Sequence, residues 1–594
     1  MGSLLALLLL GTLPGSKPLE TTGDPVVEMV AGMSAYLEQL TAQNAPSRAP
    51  SPGRLRFLLG AVDPRVPFDD LELAATFNRP ALQKETPAYR VYSVRWPVLA
   101  GLTASGLYYQ QKQPAARRVV ALLDHPGDAE SLAAAGADVL APVLVPAARR
   151  EWIYRMAFPV GRHVYGYEVQ TALAAVDWLA RRGAVSIYGR GEGAYVATYA
   201  AALDPRIAQI DTEGFSLVTP PLWRQPLYRN VFGLLQSYSD AVLTGRAAKI
   251  PAAAFTQPVA SPDPEYPVRQ MQEYTQRLIE HSEQWRDKLW KEAGAPGVAK
   301  RFVEDVIGIL PGDTAPLNLR SRLYRDAEKW QAWEVRFDVR PGVFGHGMLL
   351  LPKDLKPGEK RPLVVVQHGL NGHADVLFDA KTDRDRDIYR NFGAQLADLG
   401  YIVYSPQNPY VGEFRHLARL ANPLGLSLYS LIREQYRVML DWLSALPQVD
   451  PARIGFYGLS YGGKTALRVP PFDARFQVVV CGGDFNEWIR KLTSPEASYS
   501  YMFTKEYEIL EWNMAAVASH AELAQIIAPR PFLVERGHRD GVGVDEWVSY
   551  EYAKVRRFYD EAGIGDRTAI AFFNGPHRVD GPAALEFLRR FLGR

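Results

Sequence analysis

The sequence predicts an α/β fold in which one βαβ-rich unit occurs twice and the first copy is truncated. Short apolar runs, such as residues 363–366, alternate with stretches of helical periodicity. Two glycine-rich turns, residues 189–193 and 458–462, each follow a predicted strand and precede a predicted helix. Asp204 follows the first turn at the same distance as Asp473 follows the second, so the stretches align without a gap. Duplication explains this shared register better than chance.

The similarity between the copies extends upstream of both turns. Residues 175–179 (AVDWL) match residues 439–443 (MLDWL) in order and register. The first copy has Gly191 where the second has Ser460, and a glycine offers no side-chain oxygen that could act as a nucleophile. Residues 245–330 offer no succession of strand, acid, strand and histidine. We therefore predict that the first copy is shortened and catalytically inactive.

Composition changes along the chain predict five regions. Apolar residues 4–10 resemble the core of a secretory signal, although no Lys or Arg precedes them and no A-x-A site follows. Such a signal would make the protein secreted or periplasmic. Helical patterns cover residues 25–44, 268–292 and 298–309. The regions are a candidate signal peptide at 1–16, a helical N-terminal segment at 17–75, the degenerate first copy at 76–245, a helical connector at 246–332, and the second copy at 333–594.

The overall charge argues against a polyelectrolyte partner. Lys and Arg number 67 against 65 Asp and Glu, a net charge of +2, which provides no basic field for nucleic acid. No further long apolar run is available to span a bilayer. The single cysteine, Cys481, lies in an apolar run and is interpreted as a buried small hydrophobe. The sequence does not determine the oligomeric state.

The second glycine-rich turn carries the strongest chemical signal. Gly458-Leu459-Ser460-Tyr461-Gly462 has the G-x-S-x-G spacing of a nucleophile elbow, in which a serine occupies a strained strand-to-helix turn. Gly458 and Gly462 leave room for the neighbouring backbones to approach closely.

The same residues also fit a phosphate-binding loop. Gly458 to Thr465 satisfies G-x-x-x-x-G-K-[ST]. A phosphate loop should follow an early strand of its domain, and an apolar run ending directly in Asp should come after it. Ser460 comes more than a hundred residues into the second copy, and Cys-Gly-Gly precedes Asp484. We therefore favour the elbow and interpret Lys464 as an ordinary residue of the helix that follows.

A serine elbow needs an acid and then a histidine, each after a late strand. Three of the ten histidines follow Ser460, and His577 alone comes after the last predicted strand. Asp540 follows the preceding apolar strand and is the predicted acid that orients the imidazole. Glu535 and Asp484 are less favoured substitutes for that acid.

The remaining requirement is a pair of amide donors for an oxyanion. The residue after the nucleophile supplies one N–H and the loop after an early strand supplies the other. Here these are Tyr461 and Leu370, the latter in the loop His368-Gly369-Leu370-Asn371-Gly372. We interpret His368 as structural.

With elbow, acid, histidine and H-G loop assigned, residues 333–594 resemble the α/β-hydrolase superfamily, in particular its acetyl-xylan-esterase, dienelactone-hydrolase and prolyl-oligopeptidase branches. The resemblance implies tandem α/β-hydrolase-like domains, with a mostly parallel eight-stranded sheet in the second. The Gly458–Gly463 spelling looks like prolyl-oligopeptidase elbows, but the chain has no blade-length repeat typical of their propeller. Dienelactone hydrolases generally use cysteine, so Ser460 favours an esterase.

We therefore expect a serine carboxylic-ester hydrolase that acts through an acyl-enzyme, without metal or organic cofactor. Residues 410–427 and 488–512 are placed to shape its pocket at the sheet edge. Aromatic residues in the second segment suggest an acetyl or other ester of a glycan, whereas Arg415 and Arg419 are expected to be solvated. The alternatives are a prolyl-oligopeptidase-like serine peptidase and a non-catalytic scaffold with the hydrolase fold.

Overall fold

The computed structural model describes residues 11–20, 23–44, 51–217, 222–243, 248–253 and 259–593. The predicted apolar signal core at residues 4–10 lies outside these residues. The strands are β1 (Lys17–Pro18), β2 (Glu72–Leu73), β3 (Leu82–Glu85), β4 (Tyr89–Leu99), β5 (Leu102–Gln111), β6 (Arg117–Leu122), β7 (Ala137–Pro142), β8 (Val185–Arg190), β9 (Ile207–Glu213), β10 (Arg320–Asp326), β11 (Trp330–Arg340), β12 (Val343–Pro352), β13 (Arg361–Gln367), β14 (Ile402–Pro406), β15 (Val449–Leu459), β16 (Phe476–Gly482), β17 (Phe532–Gly537) and β18 (Thr568–Phe573).

Helices follow most of the parallel strands. The α-helices are Pro25–Gln43, Pro52–Leu58, Glu130–Ala134, Ala147–Ala157, Val164–Leu179, Glu192–Leu203, Leu234–Ser237, Asp240–Leu243, Tyr266–Arg301, Asp383–Tyr389, Phe392–Asp398, His416–Ala421, Leu428–Ser444, Tyr461–Ala466, Trp488–Thr493, His520–Ile527, Asp545–Glu561 and Pro582–Leu592. Among the described residues, no helix is long and apolar enough to cross a membrane.

The second half of the chain forms a ten-stranded sheet in the order β1-β10-β11-β12-β14-β13-β15-β16-β17-β18. The six strands from β14 to β18 in this order are parallel, whereas β10, β11 and β12 pair antiparallel. Strands β11 to β18 make up the predicted mostly parallel eight-stranded sheet. The sequence did not indicate the two additional edge strands, β10 and the short β1, which enlarge the sheet to ten.

The first half repeats this arrangement in a shorter form. Its eight-stranded sheet has the order β2-β4-β5-β7-β6-β8-β9, with β3 beside β4. From β4 to β9 the strand order corresponds one for one to that from β11 to β16. Among the described residues, the first sheet has no counterpart of β17 and β18, the strands that precede Asp540 and His577 in the second half.

The central strands are buried on both faces, as parallel strands covered by helices must be. Leu363, Val364, Val365 and Val366 of β13 are fully buried, and Cys481 in β16 is 0% exposed, as predicted for a small core residue. Because the carboxyl ends of these strands meet at one edge, side chains from distant parts of the chain converge there.

The N-terminal segment and the connector join the two halves. Helix Pro25–Gln43 begins at Asp24, whose side chain accepts a hydrogen bond from Val26 N–H. It packs against the second half, where Ser34 Oγ lies 2.7 Å from His416 Nε2. The connector has two helical stretches, as predicted, because Tyr266–Arg301 is interrupted at Gly294 (φ 62°, ψ 179°), two residues before Pro296.

Candidate active site

Ser460 lies at a sharp turn between β15 and the elbow helix, Tyr461–Ala466. Its backbone has φ 61° and ψ −121°, a conformation that costs a non-glycine residue on the order of 1–3 kcal/mol. Sheet pairing holds Ser460 in this strained conformation, because Gly458 and Leu459 pair with β16 and the Ser460 N–H donates to the Gly482 carbonyl at 2.9 Å. The turn therefore holds the serine at the carboxyl edge of the sheet.

Both elbow glycines are required by close backbone contacts. A Cβ on Gly458 would lie 2.1 Å from the Gly462 carbonyl oxygen. A Cβ on Gly462 would lie 2.4 Å from the carbonyl oxygen of Gln367, at the end of β13. Neither position can accept a side chain unless the strand or the helix moves.

Gly462→Ala should therefore destabilise the fold by about 1–3 kcal/mol, because the added methyl group overpacks a rigid backbone contact. Urea unfolding measures the change in the free energy of unfolding. The control is Gly53→Ala in helix Pro52–Leu58, where the nearest atom to the new Cβ would be Ser51 Oγ at 3.8 Å. A Gly462→Ala protein as stable as the control would contradict this packing.

The geometry is wrong for the alternative phosphate loop. Gly458 and Leu459 belong to β15 and are paired in the sheet, so no wide backbone loop remains to surround a phosphate. Lys464 points into the protein, is 2% exposed and donates to the Ile509 carbonyl at 3.2 Å. Lys464 lies in the elbow helix Tyr461–Ala466, as predicted, and its burial lowers the pKa of its side chain.

Asp540 and His577 form a hydrogen-bonded pair after neighbouring strands. Asp540 follows the end of β17 and His577 follows β18. His577 Nδ1 donates to Asp540 Oδ2 at 2.9 Å, and Val542 N–H donates to the other carboxylate oxygen at 3.0 Å. This bond occupies Nδ1, so the Nε2 atom of His577 is the nitrogen left for another group.

The environment keeps the Asp540 carboxylate ionised. Asp540 is only 3% exposed, and burial by itself raises its pKa. The hydrogen bond from His577 and the charges of His577 and Arg536 outweigh burial and hold the pKa of Asp540 below its usual value. An ionised acid can orient the imidazole and stabilise its protonated form.

Ser460 and His577 lie beside two consecutive residues at the end of β16, Gly482 and Gly483. The Gly482 carbonyl accepts the hydrogen bond from Ser460 N–H, at 2.9 Å. The next residue, Gly483, faces the imidazole: a Cβ built there would be 2.9 Å from His577 Cε1 and 3.2 Å from Leu459 Cδ1. The structure thus brings Ser460, His577 and Asp540 to one edge of the sheet, where the sequence order placed them.

The two amides predicted for the oxyanion lie beside Ser460. Tyr461 is the first residue of the elbow helix, so its N–H has no acceptor within the helix. A Cβ on Gly369 would approach Ser460 Cβ to 2.9 Å, which places the adjoining Leu370 near the serine. In the described part of the chain, Leu370 N–H has no hydrogen-bond acceptor, whereas its neighbour Asn371 N–H donates to the Tyr410 carbonyl.

His368 orders the loop that carries Leu370. Its Nδ1 donates to the Gly369 carbonyl at 2.8 Å, and Asn408 N–H donates to its Nε2 at 3.3 Å. Burial lowers the pKa of His368 to about 4, so the ring is neutral and holds both bonds at neutral pH. These contacts fit the structural role predicted for this residue.

The two substitute acids have different surroundings. Glu535 accepts hydrogen bonds from Tyr457 OH at 2.7 Å and from the N–H groups of Asp580 and Gly581, which ties β17 to the loop after His577. Asp484 is 7% exposed, and its Oδ2 has no hydrogen-bond partner in the described structure. Burial raises the pKa of Asp484 to about 6, against the opposing charges of Lys491, Arg468 and Lys464.

This raised pKa predicts that replacing Asp484 by a neutral residue raises the free energy of unfolding at high pH but not at low pH. Because the folded-state pKa lies above the unfolded value of 3.8, the stabilisation by the protonated form is lost as pH rises through about 6. Asp484→Asn should therefore raise the free energy of unfolding by about 1–3 kcal/mol at pH 8 and leave it nearly unchanged at pH 4. Urea unfolding at the two pH values measures this difference. Equal effects at both would contradict a buried ionised Asp484.

The sequence analysis missed a buried lysine beside the acid loop. Lys491 is 1% exposed, and its Nζ donates to the Val542 carbonyl, two residues after Asp540. Burial lowers the pKa of Lys491 to about 8, partly offset by Asp484 and Asp540. Helical spacing in Trp488–Thr493 gives no indication of such burial, since lysine is normally a surface residue.

The two predicted pocket segments contact the first half of the chain. Trp512 is 1% exposed, whereas Phe503 is 54% exposed and packs against Trp152 of the first half with ring centroids 5.8 Å apart. The expectation of a solvated Arg419 was wrong: it is 8% exposed and donates to carbonyls of the first half. Arg415 instead pairs with Glu508 at 3.1 Å.

The corresponding turn of the first half has the backbone conformation of the elbow but no nucleophilic side chain. Gly191 has φ 55° and ψ −123°, nearly the angles of Ser460. The next residue, Glu192, accepts hydrogen bonds from Tyr165 OH and Arg229 Nη2, each at 2.6 Å. Burial raises the pKa of Glu192, but Arg229 and Arg150 outweigh it and hold that pKa low. A carboxylate beside the turn would repel an oxyanion.

Comparison with known proteins finds a family match for part of the chain and several partial relatives. Residues 433–555 match the prolyl oligopeptidase family. Esterase FrsA of Photorhabdus laumondii subsp. laumondii is 25% identical over 214 residues, which cover 34% of this chain and 46% of that protein. An uncharacterized protein of Pseudomonas aeruginosa is 25% identical over 147 residues, 25% of this chain and 35% of its own length. The chain thus spans less than half the length of these relatives.

Solved structures that match part of this chain include two esterases. A glucuronoyl esterase from Solibacter usitatus has 16% identity and a TM-score of 0.39, covering 50% of this chain and 92% of that one. An acetyl xylan esterase from Paenibacillus sp. R4 has 15% identity and a TM-score of 0.35, covering 52% and 94%. The second half of the chain thus has the mostly parallel sheet and the edge serine elbow of the α/β-hydrolase fold, and residues 433–555 within it match the prolyl oligopeptidase family.

Proposed function

We propose that this protein is a serine hydrolase of the carboxylesterase type, with Ser460 as nucleophile, His577 as general base and Asp540 as the orienting acid. The observation that carries the proposal is the convergence of a strained elbow serine and a hydrogen-bonded His577–Asp540 pair at one sheet edge. The partial match to an esterase favours ester chemistry.

The proposed reaction proceeds in two halves. His577 Nε2 takes the proton of Ser460 Oγ as the oxygen attacks the ester carbonyl, and then returns it to the departing alcohol. Water, deprotonated by the same imidazole, releases the acid from the acyl-enzyme. Asp540 keeps a proton on Nδ1 throughout, because its ionised carboxylate accepts a hydrogen bond from that nitrogen.

Charge development on the carbonyl oxygen is met by fixed amides. The proposed donors are the N–H groups of Tyr461 and Leu370, which are held by the elbow helix and by the loop around His368. Such preorganised donors stabilise the tetrahedral intermediate more than the ground state, and removing one typically costs 10²–10³-fold in rate.

For the substrate, we propose an acetyl or other ester of a glycan. The exposed ring of Phe503, backed by Trp152, offers an apolar face of the kind on which a sugar ring stacks. An extracellular glycan would also suit the secreted or periplasmic location that residues 4–10 predict.

The family match of residues 433–555 favours one rival, a serine peptidase. Both enzymes would use the same three residues, so the leaving group distinguishes them. A non-catalytic scaffold, the third alternative, would leave the elbow unreactive.

A substrate panel tests these alternatives. The full chain and its Ser460→Ala variant are assayed with p-nitrophenyl acetate, acetylated and methyl-esterified oligosaccharides, and aminoacyl-proline amides. We expect Ser460-dependent hydrolysis of the esters, with acetylated oligosaccharides cleaved at higher kcat/KM than p-nitrophenyl acetate. Faster cleavage of the amides would support the peptidase, and no Ser460-dependent turnover of any substrate would overturn the proposal.

A further inference from the structure

The two halves contact each other through corresponding residues, beyond sharing a strand order. The 3-10 turns Phe158–Val160 and Asn422–Leu424 each end in a left-handed glycine, Gly161 (φ 65°, ψ 33°) and Gly425 (φ 67°, ψ 26°), just before a long helix. Further along, Gly233 (φ 72°, ψ 4°) and Asn513 (φ 55°, ψ 19°) occupy equivalent left-handed positions. Aligned on Gly161 and Gly425, Trp152, Arg155 and Phe158 of the first half correspond to His416, Arg419 and Asn422 of the second. Aligned on Gly233 and Asn513, Trp223 and Phe232 of the first half correspond to Phe503 and Trp512 of the second.

Two buried arginines make the same contact in opposite directions. Arg155 of the first half donates from Nη1 to the carbonyls of Tyr501, Met502 and Thr504 at 3.1, 3.3 and 2.6 Å. Its counterpart Arg419 donates to the carbonyls of Trp223 and Pro226 in the first half, both at 3.1 Å. Arg155 of the first half therefore holds the loop after β16 of the second half, and Arg419 of the second half holds the loop after β9 of the first.

Aromatic ring contacts and backbone hydrogen bonds between the halves also occur in equivalent pairs. Trp152 packs on Phe503 with centroids 5.8 Å apart, and His416 packs on Trp223 at 5.6 Å. Asn513 N–H donates to the Phe158 carbonyl at 3.1 Å. In the equivalent bond, Gly233 N–H donates to the Asn422 carbonyl at 2.8 Å.

Residues near a two-fold axis should touch their own counterparts. Phe232 and Trp512 are equivalent, and their rings stack with centroids 6.4 Å apart and an interplanar angle of 12°. The contact between the halves thus has the isologous form of a symmetric homodimer, built within a single chain.

Of the two loops held by these arginines, only the one in the second half contacts an elbow that has a serine. In the second half, residues 501–509 continue from the carbonyls held by Arg155 to Glu506 and Glu508, and both carboxylates lie 2.8 Å from Tyr461 OH. Tyr461 directly follows Ser460 and carries the proposed oxyanion N–H. Residues 501–508 are therefore hydrogen-bonded to Arg155 of the first half at one end and to Tyr461, the residue beside the nucleophile, at the other.

We infer that the inactive first half is the built-in dimer partner of the active half, and that its Arg155 is a positioning residue that holds residues 501–509 against Tyr461. This rests on the proposed function for its catalytic consequence, but not for the contact itself. The inference gives the degenerate copy a task that requires no nucleophile: it completes the wall of its neighbour's site.

The test compares Arg155→Ala with the equivalent variant on the other side, Arg419→Ala, in the full chain. Hydrogen-exchange mass spectrometry reports on the loops independently of any activity. We expect Arg155→Ala to accelerate amide exchange in residues 500–510 and Arg419→Ala to accelerate it in residues 222–233. With p-nitrophenyl acetate, Arg155→Ala should lower kcat about 10- to 100-fold with KM changed less than about threefold. Arg419→Ala should change kcat less than about threefold.

Arg155→Lys serves as the second variant if Arg155→Ala does not fold. Lysine keeps the charge but not the planar fork, so it should show a smaller increase in exchange and a partial loss of kcat. Unchanged exchange in residues 500–510, or a loss of kcat no larger than that of Arg419→Ala, would overturn the inference. A wild-type protein without esterase activity would refute the proposed function, while the exchange data would still decide the contact.

Discussion

Ser460→Ala is expected to lower kcat for a simple acetyl ester by at least about 10⁴-fold, because the nucleophile acts as a unit with its base and acid. KM should change little, since the hydroxyl contributes mainly to bond formation rather than to binding. Circular dichroism and urea unfolding establish that the variant is folded. Near-wild-type turnover by the folded variant would show that Ser460 is not the nucleophile.

Ser460→Gly adds a second readout to this prediction. The first half already has glycine at the same backbone angles, in Gly191. Replacing Ser460 by glycine should relieve backbone strain and leave the free energy of unfolding unchanged or higher by up to about 1 kcal/mol, although activity is lost. A large loss of stability would mean that the hydroxyl, rather than the strand and helix, maintains the turn.

Asp540→Asn is expected to lower kcat by about 10⁴-fold while leaving the fold intact. The amide can donate to Nδ1, which favours the imidazole tautomer with its proton on Nε2, and that tautomer cannot accept the Ser460 proton. Stopped-flow or steady-state assays at several pH values measure the loss.

Asp484→Asn is the matched control for Asp540→Asn. Asp484 is also buried near His577, but it follows β16 and has no hydrogen bond to the imidazole among the described contacts. We expect it to retain at least about a tenth of the wild-type kcat. If Asp484→Asn were the more damaging substitution, the acid would have been assigned to the wrong strand.

The parts of the fold that depend on local pattern could be predicted from the sequence. G-x-S-x-G fixes a strand-to-helix turn because only glycines fit its contacts, and the order of strand, Asp540, strand and His577 follows from sheet topology. Gly191 predicted an inactive first copy for the same local reason. These features need no knowledge of how distant segments pack.

Other features depend on contacts between segments that the sequence does not mark. β1 joins the edge of the second sheet from more than 300 residues away, by pairing with β10. Arg155, Arg419, Lys464 and Lys491 are buried only because carbonyls of other loops accept their hydrogen bonds. A single sequence normally assigns such residues to the surface, so the clamp between the halves could not be predicted.

Covalent labelling with a fluorophosphonate most directly tests whether Ser460 is the activated nucleophile. Intact-mass and peptide mass spectrometry of the full chain should find one equivalent of label, located on Ser460. Labelling should be abolished in Ser460→Ala and slowed strongly in Asp540→Asn. Label on a different residue, or none on Ser460 in the folded wild-type protein, would contradict the proposed site.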